Sequence, residues 1–420
     1  LISKILNTFG TRSLSAMINF LIAIVVSQYL GPEGKGEQGI IIATIAFVLV
    51  FSNLVGGGTL VYLVPRYKSS VLLLPSYLWS LLISIFAFGI LFIFKIVDQQ
   101  FILHISALSV LNSFTNIHST LLIGREKIKA ANMVSLVQPL VIILSLLVYF
   151  LLLNNWTIAA YIHALYISFG FSLFISIIYM AKTFGKMSIH PLREYTIVLK
   201  ELFRLGFMNQ MAHITQMMSF RLSYYFLDIY HGEASVGIYS NGIQIMESIW
   251  LISKSISLVQ YARIANTEDR QYSQQLSVKL LKAGFFISLI CIVPLLLLPE
   301  AFYLFMFGEG FVGVKEVIWI LAPGVLVYNF SIILGHYFSG TGKYHINTIA
   351  SSIGLAVSIV LFTVLIPPYV TLGAGIATSI SYAVTSFVVL LFFLRETKIG
   401  PRSFLLNTED LNVLRSLFKR

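Results

Sequence analysis

The chain has little of what a soluble enzyme or a secreted scaffold is built from. Among 420 residues there is one cysteine, Cys291, inside an apolar run. A single thiol excludes internal disulfides and cysteine metal clusters as organising devices. Charged residues make up only 11% of the chain against 57% hydrophobic, and the mean hydropathy is +0.88. A soluble chain could not hide that much apolar side chain and still present a polar surface. No G-x-x-x-x-G-K-[ST] sequence occurs, so ATP hydrolysis by the chain itself is not expected. No histidine and carboxylate cluster has metal-site spacing, and no metal or other cofactor is expected. No small-residue cleavage site follows a short apolar core near the start, so no removable signal peptide is expected.

What is present is a series of long apolar runs separated by short polar joints. A helix needs about 20 apolar residues to cross a bilayer. Twelve such helices are expected, at about 8–30, 38–64, 70–94, 101–123, 131–153, 157–181, 201–228, 236–262, 279–299, 314–339, 346–366 and 370–394. The stretch LGPEGKGEQG (residues 30–39) matches the dinucleotide pattern G-x-G-x-x-G at Gly34, Gly36 and Gly39. That pattern has meaning only between a buried strand and a helix. Here membrane-long apolar runs flank it, so a turn between spans is expected, with Pro32 and the glycines making the reversal.

Lys and Arg set the orientation. With the N-terminus inside, the inner segments carry 23 of the 28 and the outer joints only Lys35, Lys95 and Lys315. Arg221 and Lys254 lie deep within spans. This bias predicts both termini in the cytoplasm and accounts for the net charge of +11 without nucleic acid as a partner. The tail at 396–420 has apolar residues at helical spacing and basic ends, and is expected on the inner membrane surface.

The chain also repeats itself weakly. YLGPEGKGEQGIIIATIAF (Tyr29–Phe47) resembles IYHGEASVGIYSNGIQIM (Ile229–Met246), and LLIGREKIKAANMVS (Leu121–Ser135) resembles YFSGTGKYHINTIAS (Tyr337–Ser351). Six spans separate the members of each pair, so the halves share one orientation. The expected architecture is an all-α integral membrane protein. Its twelve transmembrane helices form two pseudo-symmetric six-helix bundles around a central cavity. One lobe covers residues 1–181, a basic cytoplasmic linker 182–200, and a second lobe 201–395. Such an arrangement suits alternating access by rocking.

With these residues in view, the chain resembles the polysaccharide-biosynthesis flippases of the multidrug/oligosaccharidyl-lipid/polysaccharide exporter superfamily, the O-antigen or Wzx-type branch. The carriers are YLGPEGKGEQG, GGGTLVYLVPRY at the exit of span 2, LLIGREKIKAANMVS and its echo FSGTGKYHINTIAS. The resemblance covers spans 1–12. It implies a flippase that moves a polyprenyl-pyrophosphate-linked oligosaccharide from the inner to the outer leaflet of a bacterial inner membrane, coupled to a proton or sodium ion. It also implies a monomer among membrane lipids, with a polysaccharide polymerase as a possible partner. A small-molecule exporter or a lipid II flippase of the same superfamily is the alternative. An enzyme is not expected, because the external joints are short and hold no clustered Asp, Glu or His.

Charges within spans are costly and face protein or water. Polar residues on spans 1, 4, 7 and 8 keep helical spacing and predict a wet interior. They include Arg12 and Asn19, Asn112, Asn209 and Gln210, and Gln244. Arg221 and Lys254 are the candidates for a pyrophosphate, by Coulomb attraction and charge-assisted hydrogen bonds. The alternative is internal pairing, Arg221 with Asp228 or Glu247 and Lys254 with Glu247. For Arg12 the alternative is snorkelling to the inner surface. Arg66 at the exit of span 2 reads as a positive-inside anchor. Glu247 is the ion-coupling candidate, with a salt bridge as its alternative, and Asp228 is a second carboxylate nearer the outer end. Gly56, Gly57 and Gly58 are candidate hinge residues in span 2, with close helix packing as the alternative.

Overall fold

A computed structural model describes residues 2–185, 188–397 and 399–400. The chain is helical, with no strand among the described residues. That follows from a hydrocarbon surround, where each backbone N–H and C=O must be satisfied within its own segment. The helices are α1 (Ile2–Gly56), α2 (Gly58–Leu63), α3 (Ser69–Phe94), α4 (Gln99–Gly124), α5 (Ile128–Leu147), α6 (Ile158–Phe184), α7 (Leu192–His231), α8 (Glu233–Ser248), α9 (Trp250–Ala265), α10 (Arg270–Leu297), α11 (Glu300–Phe307), α12 (Val314–Gly340) and α13 (Tyr344–Thr397). A π-helical turn, Val148–Leu152, continues α5.

Among the described residues, seven helical segments are long and apolar enough to cross a membrane. Two of them, Gly10–Leu63 and Tyr344–Thr397, have 54 residues each. A straight helix of that length would run about 80 Å, far beyond a bilayer core of about 30 Å. Each is broken once, by non-helical backbone at Gly31 and at Val370. Helices α4, α7, α8 and α9 fall outside the apolar set, and they carry most of the polar stripes noted above. Large apolar side chains are exposed along the outer faces, including Ile85 (71%) and Ile93 (72%) on α3. Those faces need lipid to cover them.

Two expectations about boundaries are corrected. The glycine-rich stretch is not an open turn. Only Gly31 leaves the helical region, at φ +70°, and Pro32 then opens the second helical stretch, where its fixed φ and missing N–H suit a first turn. Gly34, Gly36 and Gly39 are helical. The span expected to begin at 201 belongs to a helix that begins at Leu192, so the last residues of the expected linker are helical. The tail beyond Gly400 lies outside the described residues, as does residue 398.

The chain divides into two compact units. One comprises Leu1–Met217, Gly232–Gly237 and Met306–Phe311, and the other Met218–His231, Ile238–Phe305 and Val312–Arg420. In the first unit α1 packs on α3, α4 and α5, around Val26, Leu60, Leu72, Ile105, Leu121 and Leu165, all buried. Ser76, Ser80 and Ser84 on α3 and Ser106, Ser109 and Ser113 on α4 are also buried, and small side chains of this kind permit close helix approach. In the second unit α12 packs against α9, α10 and α13. Ile333, Leu334, Tyr337 and Phe338 of α12 meet Ile264, Leu281, Val389 and Phe393 there.

The sequence echoes are echoes of backbone. Gly31 and Gly232 both have positive φ, +70° and +77°. The second pair is closer still. After Gly124, the N–H of Lys127 donates to Leu122 O at 2.8 Å, with Glu126 at φ +57°. After Gly340, the N–H of Lys343 donates to Phe338 O at 2.7 Å, with Gly342 at φ +78°. Both are six-to-one helix-ending motifs that satisfy carbonyls of a last turn. A Cβ at Gly124 would sit 3.0 Å from Val64 Cβ, and one at Gly340 3.0 Å from Ile264 Cβ, so each glycine lets a matching helix end approach.

Close backbone approach recurs in the first unit. A Cβ at Gly36 would stand 1.9 Å from Glu233 O, and one at Gly237 2.0 Å from Pro32 O. A Cβ at Gly206 would stand 1.7 Å from Leu54 O. Seated on α1 nearby are Met306, whose carbonyl accepts from Gln28 Nε2 at 2.9 Å, and Phe307, edge-on to Phe20. Because backbone cannot shift as a side-chain tip can, Gly36→Ala and Gly206→Ala are each expected to destabilise by about 2 kcal/mol. Gly170→Ala, with open space around the position, is expected to be neutral or slightly stabilising. Thermal unfolding of the three variants in one detergent tests this ranking.

Candidate functional site

The polar centre of the second unit is built on the helix break between α8 and α9. Glu247 lies in the last turn of α8, and Trp250 opens α9 after Ile249. Arg221 of α7 meets Glu247 as a two-pronged pair: Nη1 donates to Oε1 at 3.1 Å and Nη2 to Oε2 at 2.7 Å. Tyr382 of α13 donates its hydroxyl to Oε1 at 3.1 Å. Three donors thus hold one carboxylate, and the matched planes of guanidinium and carboxylate make this the strong form of such contacts. The pair is mostly buried, with side-chain exposures of 24% for Arg221 and 14% for Glu247. Arg221 also donates to the carbonyl of Phe220 at 3.3 Å.

An aromatic box sits beside the pair. Trp250, Tyr328 and Tyr382 are buried, with ring centroids 4.7 to 5.2 Å apart, and Phe220 lies 5.3 Å from Tyr382. Trp250 Nε1 donates to Val325 O at 3.0 Å, which satisfies the indole. The rings exclude water, lower the local dielectric and strengthen the charge contact, while making an unpaired charge there expensive. Tyr382 and Tyr328 carried no signal in the sequence, being two of 21 tyrosines in a chain rich in aromatics.

Lys254 stands one turn beyond the box on α9. It is exposed, its ammonium is 5.6 Å from the Trp250 ring centroid, and no carboxylate lies within 4.0 Å among the described residues. Of the two pairings open for the basic residues, Arg221 makes the one with Glu247 and Lys254 makes none. Gln244 and Asp228 are half-buried in the same unit.

The other sequence candidates lie in the first unit. Arg12 and Asn19 are exposed on α1, and Asn112 is half-buried on α4. Gln210 is buried and donates to Val50 O at 3.4 Å, a contact that closes helix packing. The side chain of Asn209 lies outside the described residues. The helix breaks at Gly57, between Gly56 and Gly58, with backbone φ −95° and ψ −144°. Arg66 stacks over Tyr62 at 3.7 Å. Unremarked in the sequence is an amide pair beside the break, Asn116 Nδ2 donating to Asn53 Oδ1 at 2.7 Å. His118 is packed between Tyr77 and Ser176, whose Oγ lies 2.6 Å from Nδ1. No grouping of three metal-ligating side chains occurs among the described residues.

The chain is 24% identical over 397 residues to the capsular polysaccharide biosynthesis protein CapF of Staphylococcus aureus, covering 92% of this chain and 98% of that one. The lipid II flippase MurJ in an inward closed conformation superposes with a TM-score of 0.77 at 17% identity, over 100% of this chain and 92% of MurJ. The inward-facing conformation of a multidrug resistance MATE transporter of the MOP superfamily superposes at 0.73, with 16% identity over 92% and 96% of the two chains. The chain is thus similar over nearly its whole length to a capsular polysaccharide biosynthesis protein, and it shares the fold of the MurJ and MATE structures. No family model matches it. The superposed structures are of transporters, and at these identities they establish the shared fold.

The buried pair is expected to behave as one unit. Glu247→Gln leaves Arg221 without its carboxylate and is expected to destabilise by about 3 kcal/mol. The double variant Arg221→Met with Glu247→Leu is expected to recover most of that loss. Thermal unfolding of the two singles and the double forms the cycle that measures it.

Proposed function

We propose that this chain is a flippase of the multidrug/oligosaccharidyl-lipid/polysaccharide exporter superfamily that acts on a polyprenyl-pyrophosphate-linked oligosaccharide, carrying the headgroup from the inner to the outer leaflet by alternating access. Twelve membrane crossings in two six-helix lobes, with both termini cytoplasmic, are part of this reading. The kinks at Gly31 and Val370 support the count, since each divides a helix far too long for one crossing. The capsular relative supports the polysaccharide cargo, and the charge bias of Lys and Arg supports the orientation.

The observation that carries the chemistry is Lys254. Arg221 is already neutralised by Glu247, whereas Lys254 offers an exposed ammonium with no carboxylate beside it, on a helix inside a membrane domain. A pyrophosphate crossing a low-dielectric slab gains most from such a cation. Lys254 is assigned to the pyrophosphate, and Arg221, Glu247 and Tyr382 to the framework that holds α7, α8 and α13 in register around it. Gln244, half-buried on α8, is read as a contact for hydroxyl-rich sugar.

The pair also bears on ion coupling. Glu247 is held by Arg221 and by the Tyr382 hydroxyl. This reading gives Glu247 the task of holding Arg221, and leaves Asp228 as the carboxylate for a coupling proton or sodium ion.

Translocation in proteoliposomes tests the proposal, with a polyprenyl-pyrophosphate oligosaccharide as cargo and lipid II and a small organic cation as comparison cargoes. Lys254→Gln is expected to slow movement of the oligosaccharide lipid by about tenfold or more, the worth of one charge-assisted contact. The double variant Arg221→Met with Glu247→Leu is expected to retain most activity. Movement of the organic cation in place of either lipid would overturn the reading, and movement of lipid II alone would replace its cargo.

A further inference from the structure

Helix α7 is longer than a crossing requires. Its 40 residues make about 60 Å, twice the hydrocarbon thickness. The excess is at the start, from Leu192 to about Arg204. That end is tied down by side chains. His190 Nδ1 is 3.3 Å from Glu194 Oε2, and its Nε2 is 2.8 Å from Ser70 Oγ. The His190 N–H donates to the Tyr195 hydroxyl at 3.2 Å. The segment is therefore held at a fixed place on the first unit.

Charge is sorted around this segment. Its two acids are engaged by the chain: Glu194 by His190, and Glu201 by the Tyr67 hydroxyl, which donates at 2.6 Å. Val198 (1%) and Leu202 (0%) are buried and define the inward face. Arg193, Lys200 and Arg204 are spaced i, i+7 and i+11, which places them within about 20° of one line, on the side away from Val198 and Leu202. All three are exposed, and none has a carboxylate at ion-pair distance among the described residues. Ile197, 50% exposed, lies about 40° to one side of Arg193, and Leu192 (81%) and Phe203 (41%) lie about 80–100° to the other.

Bases with large exposed apolar side chains on either side of them at the end of a membrane helix fit one surround. The aliphatic groups belong at the acyl boundary and the bases at the depth of lipid phosphates. Along the axis the bases stand about 10 Å and 6 Å apart, a spacing for separate headgroups rather than a single phosphate. We propose that the α7 stripe of Arg193, Ile197, Lys200 and Arg204 is a docking surface for anionic phospholipid headgroups. It would anchor the long helix that carries Arg221 against the leaflet at its starting end. In the orientation proposed above that leaflet is the cytoplasmic one, but binding itself does not depend on that reading or on the cargo.

The test is calorimetric titration of the full chain, in neutral detergent, with dihexanoyl phosphatidylglycerol and, separately, dihexanoyl phosphatidylcholine. Wild type is expected to bind the anionic lipid and to show no comparable binding of the zwitterionic one. The triple variant Arg193→Gln, Lys200→Gln, Arg204→Gln is expected to bind it roughly a hundredfold more weakly, about fivefold for each base. A control triple, Lys68→Gln, Lys127→Gln, Lys129→Gln, removes the same charge from other exposed positions and is expected to stay within about threefold of wild type. Equal weakening by the two triples would show diffuse charge and overturn the proposal. So would equal affinity of wild type for the two lipids, or tighter binding of soluble polyglutamate than of the lipid. Because no cargo moves in this measurement, its failure is separable from failure of the flippase reading.

Discussion

Hydrocarbon offers no hydrogen bonds, and nearly every feature of this chain is an answer to that. The backbone is helical because only a helix satisfies its own polar groups within one segment. Some short polar side chains inside the helices turn back onto carbonyls one turn earlier, as Thr44 does to Ile40 O at 2.7 Å and Ser358 to Gly354 O at 2.9 Å, while Ser80, Ser84, Ser106, Ser109 and Ser113 are buried with no hydrogen-bond partner among the described residues. Where a longer polar side chain is buried, it has found a partner: Asn116 with Asn53, Gln210 with Val50 O, Arg221 with Glu247. The Arg221 pair is the costliest of these to leave unmade, so three donors and a box of aromatic rings converge on it.

The same constraint gives meaning to the group that escapes it. Lys254 follows the aromatic box by a single turn, yet its ammonium is exposed and has no carboxylate partner. The break between α8 and α9 falls between Glu247, in the last turn of α8, and Lys254 on α9. Two cations that look equivalent by depth in the sequence thus differ in pairing: Arg221 is held by Glu247, and Lys254 has no carboxylate within 4.0 Å among the described residues.

Glycine does two jobs here that are easily confused. At Gly31 and Gly232 it supplies a positive φ where the chain changes direction. At Gly36, Gly206 and Gly237 it supplies only the absence of a side chain, so that one backbone can lie against the carbonyl of another. The helix-ending turns after Gly124 and Gly340 show that the first job can be done without glycine. Glu126 takes the left-handed conformation that Gly342 takes in the matching turn, because the hydrogen bonds on either side determine the turn.

Composition and apolar spacing determined by themselves that this is a helical membrane protein, because the bilayer demands so much apolar length that the demand is written in one dimension. The places of most helices, the echo of one half in the other, and the rarity of Arg221, Glu247 and Lys254 were legible for the same reason. The glycine-rich stretch misled, since a close approach and a turn ask for the same residue and differ only in what lies opposite. Which base would be neutralised was not legible either. Arg221 had two carboxylates within reach along the chain, and the choice of Glu247, with Tyr382 arriving from more than a hundred residues away, depends on how α7, α8 and α13 pack. Pairing in space is a property of packed faces, and only the tertiary structure brings those faces together.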